Sequence, residues 1–311
     1  MNEKIILENG INVLSLCDGM SCGQIALKEL DIPVAKYYAS EIDKYSIKVT
    51  QDNFPNTIQL GDVTKISTDI LQSLPTIHLV MFGSPCRSLS KATAGRGIYN
   101  AGLSGVSWLF YPCADILHWI QKYNNPNVKF LVENVDSNKT EDINRMSKIL
   151  GVEPVLINSS IFSAQDRKRN YWTNIELDTL PPESSLVLAD VLESVVDEKY
   201  YYNQAFEFVG EEKRVCATLN IKGHDILKRV YSSKFKAPTL TSCRGGNTQK
   251  KVYQNGRCRK LTPEEYRRLQ TIPEWIKMNV ANSHIYNMCG DGWTIETIKF
   301  ILKNMKLLLD K

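Results

Sequence analysis

Two side chains able to do covalent and acid–base chemistry stand at the ends of apolar runs. Cys86 follows Thr76-Ile77-His78-Leu79-Val80-Met81-Phe82 through Gly83-Ser84-Pro85, and Glu133 follows Val128-Lys129-Phe130-Leu131-Val132. Both runs read as buried strands. A thiol just past a strand's carboxyl end, stiffened by Pro85, is placed like a nucleophile. The glycines behind it (Gly95, Gly97, Gly102, Gly105) suit a loop that closes as a lid. The competing reading is a buried structural cysteine, the usual fate of a lone thiol. If the sheet is parallel, Glu133 lies on the same rim as Cys86, where open α/β sheets bind ligands. Gln165-Asp166-Arg167-Lys168-Arg169 adds two arginines spaced by two. On an extended segment they point the same way, unless they are a surface charge cluster.

The elements that must position these groups alternate. Ile11 to Cys17 reads as a first strand, Asp18-Gly19-Met20-Ser21-Cys22-Gly23 as a tight turn, and Gln24 to Leu30 as a helix. Such a strand–glycine turn–helix lets backbone N–H groups approach a nucleotide-like ligand. Val34 to Ser40 is a second strand ending at Glu41, an acid placed to accept from ribose hydroxyls, or to head the helix 43–53. Thr57 to Leu60 is a short third strand. After it, Asp62 can accept from an adenine amino group or cap the next helix. No full G-x-G-x-x-G is present, so a cofactor with ribose and adenine but no phosphates fits better than a dinucleotide. Helices are expected over 108–121 and 138–150, and a further strand over 153–158. The alternation breaks near Asn174. Residues 176–258, with Pro181-Pro182, many tyrosines and Gly245-Gly246, read as a separate small, strand-rich domain.

The chain has 311 residues, 43% apolar and 23% charged, ordinary for a soluble globular protein. No apolar run reaches the length of a membrane helix. The N-terminus lacks a signal peptide's apolar core, so a cytoplasmic location is expected. The eight cysteines form no CxxC pair and none of the four histidines lies near a cysteine at ligand spacing. That argues against a metal site and a disulfide framework. Between Lys213 and Arg268 stand 15 lysines and arginines against 3 acids, although the whole chain carries only +4. Such polarity points to a polyanion, and the alternative is a solvated basic face.

The order of these motifs resembles the cytosine-C5 DNA methyltransferase family, nearly end to end outside the small domain. Asp18-Gly19 looks like the family's glycine motif, and Glu41 and Gly61-Asp62 like its ribose and adenine motifs. Pro85-Cys86 looks like the nucleophile motif, Glu133-Asn134-Val135 like the base-recognition motif, and Gln165-x-Arg167-x-Arg169 like the basic motif. Arg259-Lys260-Leu261-Thr262-Pro263-Glu264-Glu265, with Arg268-Leu269-Gln270 and Pro273, resembles the motif after the target-recognition domain. Details such as Gly83-Ser84-Pro85-Cys86 and the tryptophan of Gly290-Asp291-Gly292-Trp293 lean towards the de novo branch and its bacterial and phage relatives. No chromatin-reading extension accompanies them. Four departures stand out: Arg87 where glutamine or asparagine is usual, Cys17 and Ile42 where aromatics are usual, and Gly290-Asp291-Gly292 in the late motif.

The resemblance implies an α/β fold, a Rossmann-like mixed sheet with a second, smaller strand-rich domain. It implies residues 1–175 as catalytic and cofactor-binding, 176–258 as target-recognising, and 259–311 as a return segment completing the catalytic domain. The implied cofactor is S-adenosylmethionine, leaving S-adenosylhomocysteine, lined by Cys17, Asp18, Gly19, Met20, Glu41, Ile42, Asp62, Val63, Ser84, Pro85, Leu109, Asp291, Gly292 and Trp293. Cys86 would attack C6 of a cytosine flipped out of duplex DNA. Glu133, with a protonated carboxyl, would hold N3 and the amino group. Arg169 would bind O2, and Arg167 would support the pocket. Arg87, Ser90, Arg244, Asn247, Thr248 and Gln249 are the candidate DNA contacts. The protein would act as a monomer or homodimer, in restriction–modification or as a solitary phage enzyme. Two rivals stay open. One is a tRNA cytosine-C5 methyltransferase, although that branch's cysteine-phenylalanine-threonine element is absent. The other is a catalytically silent DNA-binding regulator.

Overall fold

The computed structural model describes residues 10–85, 105–136 and 140–309. Its contacts divide the chain into two compact units. The first takes the described residues up to Ile157, then Lys168–Thr179 and those from Thr297 onward; the second takes Asn158–Arg167 and Leu180–Glu296.

The first unit is built on a seven-stranded sheet in the order β3-β2-β1-β4-β5-β7-β6. Its strands are β1 (Ile11–Leu16), β2 (Val34–Ser40), β3 (Ile58–Gln59), β4 (Leu79–Phe82), β5 (Lys129–Val135), β6 (Val155–Asn158) and β7 (Lys168–Thr173). β1 lies parallel between β2 and β4, β5 is parallel to β4, and β7 runs antiparallel to β5. The sheet is therefore mixed, as expected. Central parallel strands are covered on both faces, which is why β1 and β4 read as near-continuous apolar runs. On one face Leu14, Leu16, Val80, Phe82, Phe130, Val132 and Trp172 form the core. Phe110, Cys113, Ala114 and Leu117 pack into it from the helix Phe110–Trp119.

The second unit holds a five-stranded sheet in the order β12-β11-β10-β9-β8. Its strands are β8 (Phe206–Phe208), β9 (Val215–Leu219), β10 (Arg229–Ser232), β11 (Lys251–Gln254) and β12 (Arg257–Lys260). Its buried apolar cluster is small: Cys216, Ala217, Leu219, Val230 and Cys258. Polar braces do much of the remaining work. Helix α1 (Pro263–Leu269) begins with Pro263 behind a Thr262–Glu265 capping box.

Two local readings change. β5 does not end before Glu133 but continues to Val135, because β7 extends beside it and pairs Val135 with Arg169. The arginines of 165–169 do not share one extended segment, because β7 starts only at Lys168. The compact units also cut the chain elsewhere than the motifs do. Of the segment from 259, β12, α1 and the helix Asn282–Asp291 fall in the second unit, where β12 pairs with β11.

Candidate active site

Three turns at the carboxyl ends of β1, β2 and β3 are stitched together by backbone and side chain. The Asp18 amide donates to the Ser40 carbonyl at 3.1 Å and the Leu60 amide to Ala39 at 2.7 Å. Ser40 Oγ donates to the Gly61 carbonyl at 2.7 Å. Glu41 is the keystone. Its Oε2 accepts from Gly19 N at 2.7 Å, and its Oε1 accepts from the amides of Ile42 and Asp43 at 2.8 Å each. Gly19 and Gly61 have φ of +59° and +75°, and a Cβ at either would meet nothing within 4 Å. Left-handed turns thus open onto free space beside a carboxylate, which fits a ribose-bearing cofactor.

The other residues expected to line this cofactor divide. Ile42 is 74% exposed at the rim. Leu109 and Cys17 are partly buried against the apolar core, and Val63 lies within it. Met20 and Ser84 are buried, and Pro85 is half-buried. Asp62 caps the turn that follows it, accepting from Thr64 N at 2.9 Å and Thr64 Oγ1 at 2.8 Å. The amide bond holds its carboxyl below the usual range. The side chain of Asp18 turns inward. Oδ1 accepts from Tyr37 Oη at 2.8 Å and Oδ2 from Ser21 Oγ. Burial lifts this carboxyl to about 6. What Asp18 can offer a ligand therefore comes from its backbone.

Further along the same sheet edge, Glu133 and Arg169 form an ion pair, Nε to Oε1 at 2.9 Å. Glu133 stands opposite Tyr171 and Arg169 opposite Val135, so the pair is diagonal on one face of β5–β7. Phe82 of β4 is level with Val132, so Glu133 is level with Gly83. Its neighbour Asn134 is buried and donates from Nδ2 to Ser84 O at 3.4 Å and Ser84 Oγ at 3.3 Å. Asn134 therefore ties the backbone that leads to position 86 to the strand that carries Glu133. It belongs to the base-recognition motif, but reading that motif for its carboxylate passes over the amide. Cys86, Arg87 and Ser90 lie outside the described residues.

Arg167 and Arg169 serve different partners. Arg167, in the second unit, is 2% exposed and is spent on backbone carbonyls. It donates to Leu240 O at 3.0 Å, Gly290 O at 3.2 Å and Gly292 O at 2.8 Å. Gly290 is needed there for space, because a Cβ would lie 2.3 Å from the backbone of Thr241 and Ser242. Asp291 is exposed and accepts from Asn287, while Gly292 and Trp293 are half-buried. Gln270 supports the same turn by donating to Gly292 O at 3.1 Å.

Of the candidate DNA contacts in this unit, Arg244, Asn247 and Thr248 are exposed. Gln249, at the end of the same loop, is 5% exposed, unlike the three expected beside it. The basic run of 213–268 is also partly neutralised at home. Arg214 pairs with Asp166, Arg229 with Asp225, Arg257 with Glu198 and Arg259 with Glu265. No described helix is long and apolar enough to cross a membrane.

The profile of the C-5 cytosine-specific DNA methylase family matches residues 11–307. The type II methyltransferase M1.ScrFI of Lactococcus lactis subsp. cremoris is 28% identical over 301 residues, covering 89% of this chain and 74% of that protein. The orphan methyltransferase M.SPBetaI of Bacillus phage SPbeta is 25% identical, covering 95% and 97%. Among solved structures, a DNA modification methyltransferase encoded within an E. coli prophage superposes with a TM-score of 0.68 at 15% identity, over 97% of this chain and 100% of that one. The S. pombe Dnmt2 methyltransferase gives 0.64 at 16% identity, over 96% and 98%. At these identities the two structures speak for the fold.

Proposed function

Because the chain belongs to the C-5 cytosine-specific DNA methylase family, and is thus a DNA (cytosine-5-)-methyltransferase, we propose that Cys86 and Glu133 act together on a cytosine turned out of duplex DNA. Supporting this is one observation above all: Asn134 holds Ser84, two residues before Cys86, beside the strand position of Glu133.

Cytosine C5 is a weak nucleophile in the aromatic ring. The Cys86 thiolate adds to C6, and the electron pair displaced from the C5–C6 bond makes C5 enamine-like. Charge develops at N3 and the amino group. The Glu133 carboxyl, oriented by Arg169, meets that edge and shares a proton with N3. S-adenosylmethionine is the methyl donor of this fold, and beside Gly19 and Glu41 it would supply the methyl group. Loss of the C5 proton then restores the double bond and expels the thiolate. A base in a duplex cannot present C6, so the target leaves the stack at a cost of a few kcal/mol.

We assign Arg167 to support rather than chemistry, since its guanidinium already serves three carbonyls. The exposed Arg244, Asn247 and Thr248 are the proposed base-reading residues. The relatives include a type II enzyme and an orphan phage enzyme, and the same reaction serves both roles.

Duplex DNA carrying 5-fluorocytosine tests the reading, because fluorine at C5 blocks the elimination. With S-adenosylmethionine, a denaturation-resistant adduct is expected, and it should vanish in Cys86→Ala. An adduct on fluorinated tRNA but not on DNA would give the reaction to RNA. No adduct on either, with DNA still bound, would make the protein a silent binder.

A further inference from the structure

The exposed 244–249 loop is held in one conformation from beneath. Lys251, 2% exposed, donates from Nζ to the carbonyls of Asn247 at 2.8 Å and Gln249 at 3.0 Å. Thr248 Oγ1 donates back to Gly245 O at 2.6 Å. Lys250 N donates to the Oη of Tyr266, which is fully buried. The fourth support reaches a side chain: Tyr202 Oη donates to Asn247 Oδ1 at 3.0 Å. Tyr202 is itself fixed, its amide on the Cys258 carbonyl at 3.0 Å and its ring flanked by the ammonium groups of Lys251 and Lys260 at 5.8 and 5.3 Å. Burial raises the pKa of the phenol, so it keeps the proton it donates.

This arrangement decides what the loop can offer a base. An asparagine reads adenine with both ends of its amide, accepting from N6 and donating to N7. In this loop Oδ1 of Asn247 already accepts from Tyr202, which takes one of its two lone pairs and orients the amide, while both Nδ2 donors are uncommitted among the described residues. Arg244 has donors only. Among the described residues, neither side chain donates a hydrogen bond, and both residues are exposed. The hydroxyl proton of Thr248 is committed to Gly245. Thr248 Oγ1 and Asn247 Oδ1 keep some accepting capacity, but the uncommitted donors of Arg244 and Asn247 predominate, and the base with two acceptors on its major-groove edge is guanine, at O6 and N7.

Resting on the DNA-methyltransferase reading above, we propose that the 244–249 loop selects a guanine, and that Tyr202 is the positioning residue that disfavours adenine by engaging the Oδ1 of Asn247 and orienting its amide. Nothing in the sequence alone pairs Tyr202 with Asn247, because 45 positions separate them.

The test is a pool of duplexes with a central cytosine and randomised flanks, methylated by the full-length protein and read by bisulfite sequencing. A parallel selection of the bound fraction is read directly. The wild type should require guanine at one flanking position. Tyr202→Phe frees the acceptor of Asn247, so adenine should become admitted there. The guanine-over-adenine ratio should fall roughly tenfold, the scale of one bidentate contact. The rate on the guanine site should stay within about threefold, which separates repositioning from a general loss of structure. Asn247→Asp, which replaces the donors by acceptors, should lose the guanine preference by a similar factor. An unchanged profile in Tyr202→Phe, or a wild type that selects adenine or cytosine where Asn247 acts, would overturn the proposal. Methylation with no flanking preference would overturn it while leaving the catalytic reading intact. No methylation and no bound fraction would remove both.

Discussion

Two arginine–glutamate pairs among the described residues, one in each unit, have little exposure on both side chains, and they are built in opposite ways. In the second unit Arg259 and Glu265 have side chains at 0% exposure and meet through two bonds, at 2.6 and 2.8 Å. Most of the remaining sites nearby are filled. Arg259 also donates to Gln254 Oε1 and Lys260 O, and Glu265 also accepts from the amides of Thr262 and Glu193. In the first unit Glu133 and Arg169 have side chains 10% and 13% exposed and meet through Arg169 Nε, while Nη1 of Arg169 takes the Lys168 carbonyl. A saturated, dry pair has no bond to exchange and fixes its surroundings. The Glu133–Arg169 pair, with both side chains partly exposed, is able to rearrange around a third partner. The difference separates a pair sealed in the interior from one with partly exposed side chains, and the proposed chemistry belongs to the second.

The comparison is sharpest where its two halves are separated by measurement. Glu133→Gln keeps the shape and removes the proton-carrying carboxyl. It should cost about 10²–10⁴ in kcat, with little change in the urea midpoint. Initial rates on duplex DNA beside a denaturation curve decide it. Glu265→Gln leaves Arg259 buried without its counter-charge. It should cost about 3–5 kcal/mol of stability, and its activity should return at low temperature where the protein is folded. A loss under about 1 kcal/mol would remove the distinction between the pairs.

The Asp18 carboxyl supplies a third test, by pH. Folding raises it from the ordinary 3.8 to about 6, so the folded state holds a proton that the unfolded chain has released. Its contribution to stability is therefore present below about 3.8 and lost as pH rises through 6, by about 3 kcal/mol in all. Urea midpoints between pH 4 and 6.5 should fall with pH from this group, and Asp18→Asn should remove that part of the slope. The smallest effect belongs to Asn134→Ala. Its two bonds to Ser84 are long, so a loss of about 1 kcal/mol is expected, a several-fold drop in kcat with DNA affinity unchanged. A drop in affinity without one in kcat would move Asn134 from positioning the approach to Cys86 to holding DNA.

Much of the first unit was legible because parallel strands announce themselves. The runs at 11–16 and 79–82 are buried on both faces almost throughout and 34–40 from Tyr37 onward, and the turns after the first three strands carry Gly19, Glu41 and Gly61 at the rim. The second unit was less so. Its apolar cluster is small, and bonds between distant residues, such as Lys236 to the carbonyls of Ser160 and Ser184, leave no periodic trace. Asp18 and Gln249 show the same limit at single residues, since a polar side chain in a turn can face a ligand or the interior and its neighbours in sequence do not say which.

The sequence by itself determined the family, the mixed α/β sheet and the residue types able to add to a pyrimidine and handle its proton. Those depend on local spacing and on chemistry that a residue carries wherever it lies. Only the tertiary structure decided that Arg169 serves Glu133 while Arg167 serves three carbonyls, and that Asn134 anchors the approach to Cys86. The same holds for Tyr202, which donates to Oδ1 of Asn247. Each of these depends on which groups meet across the fold, and a hydrogen bond, formed only within a few tenths of an ångström of its preferred length, has no signature in the order of the chain.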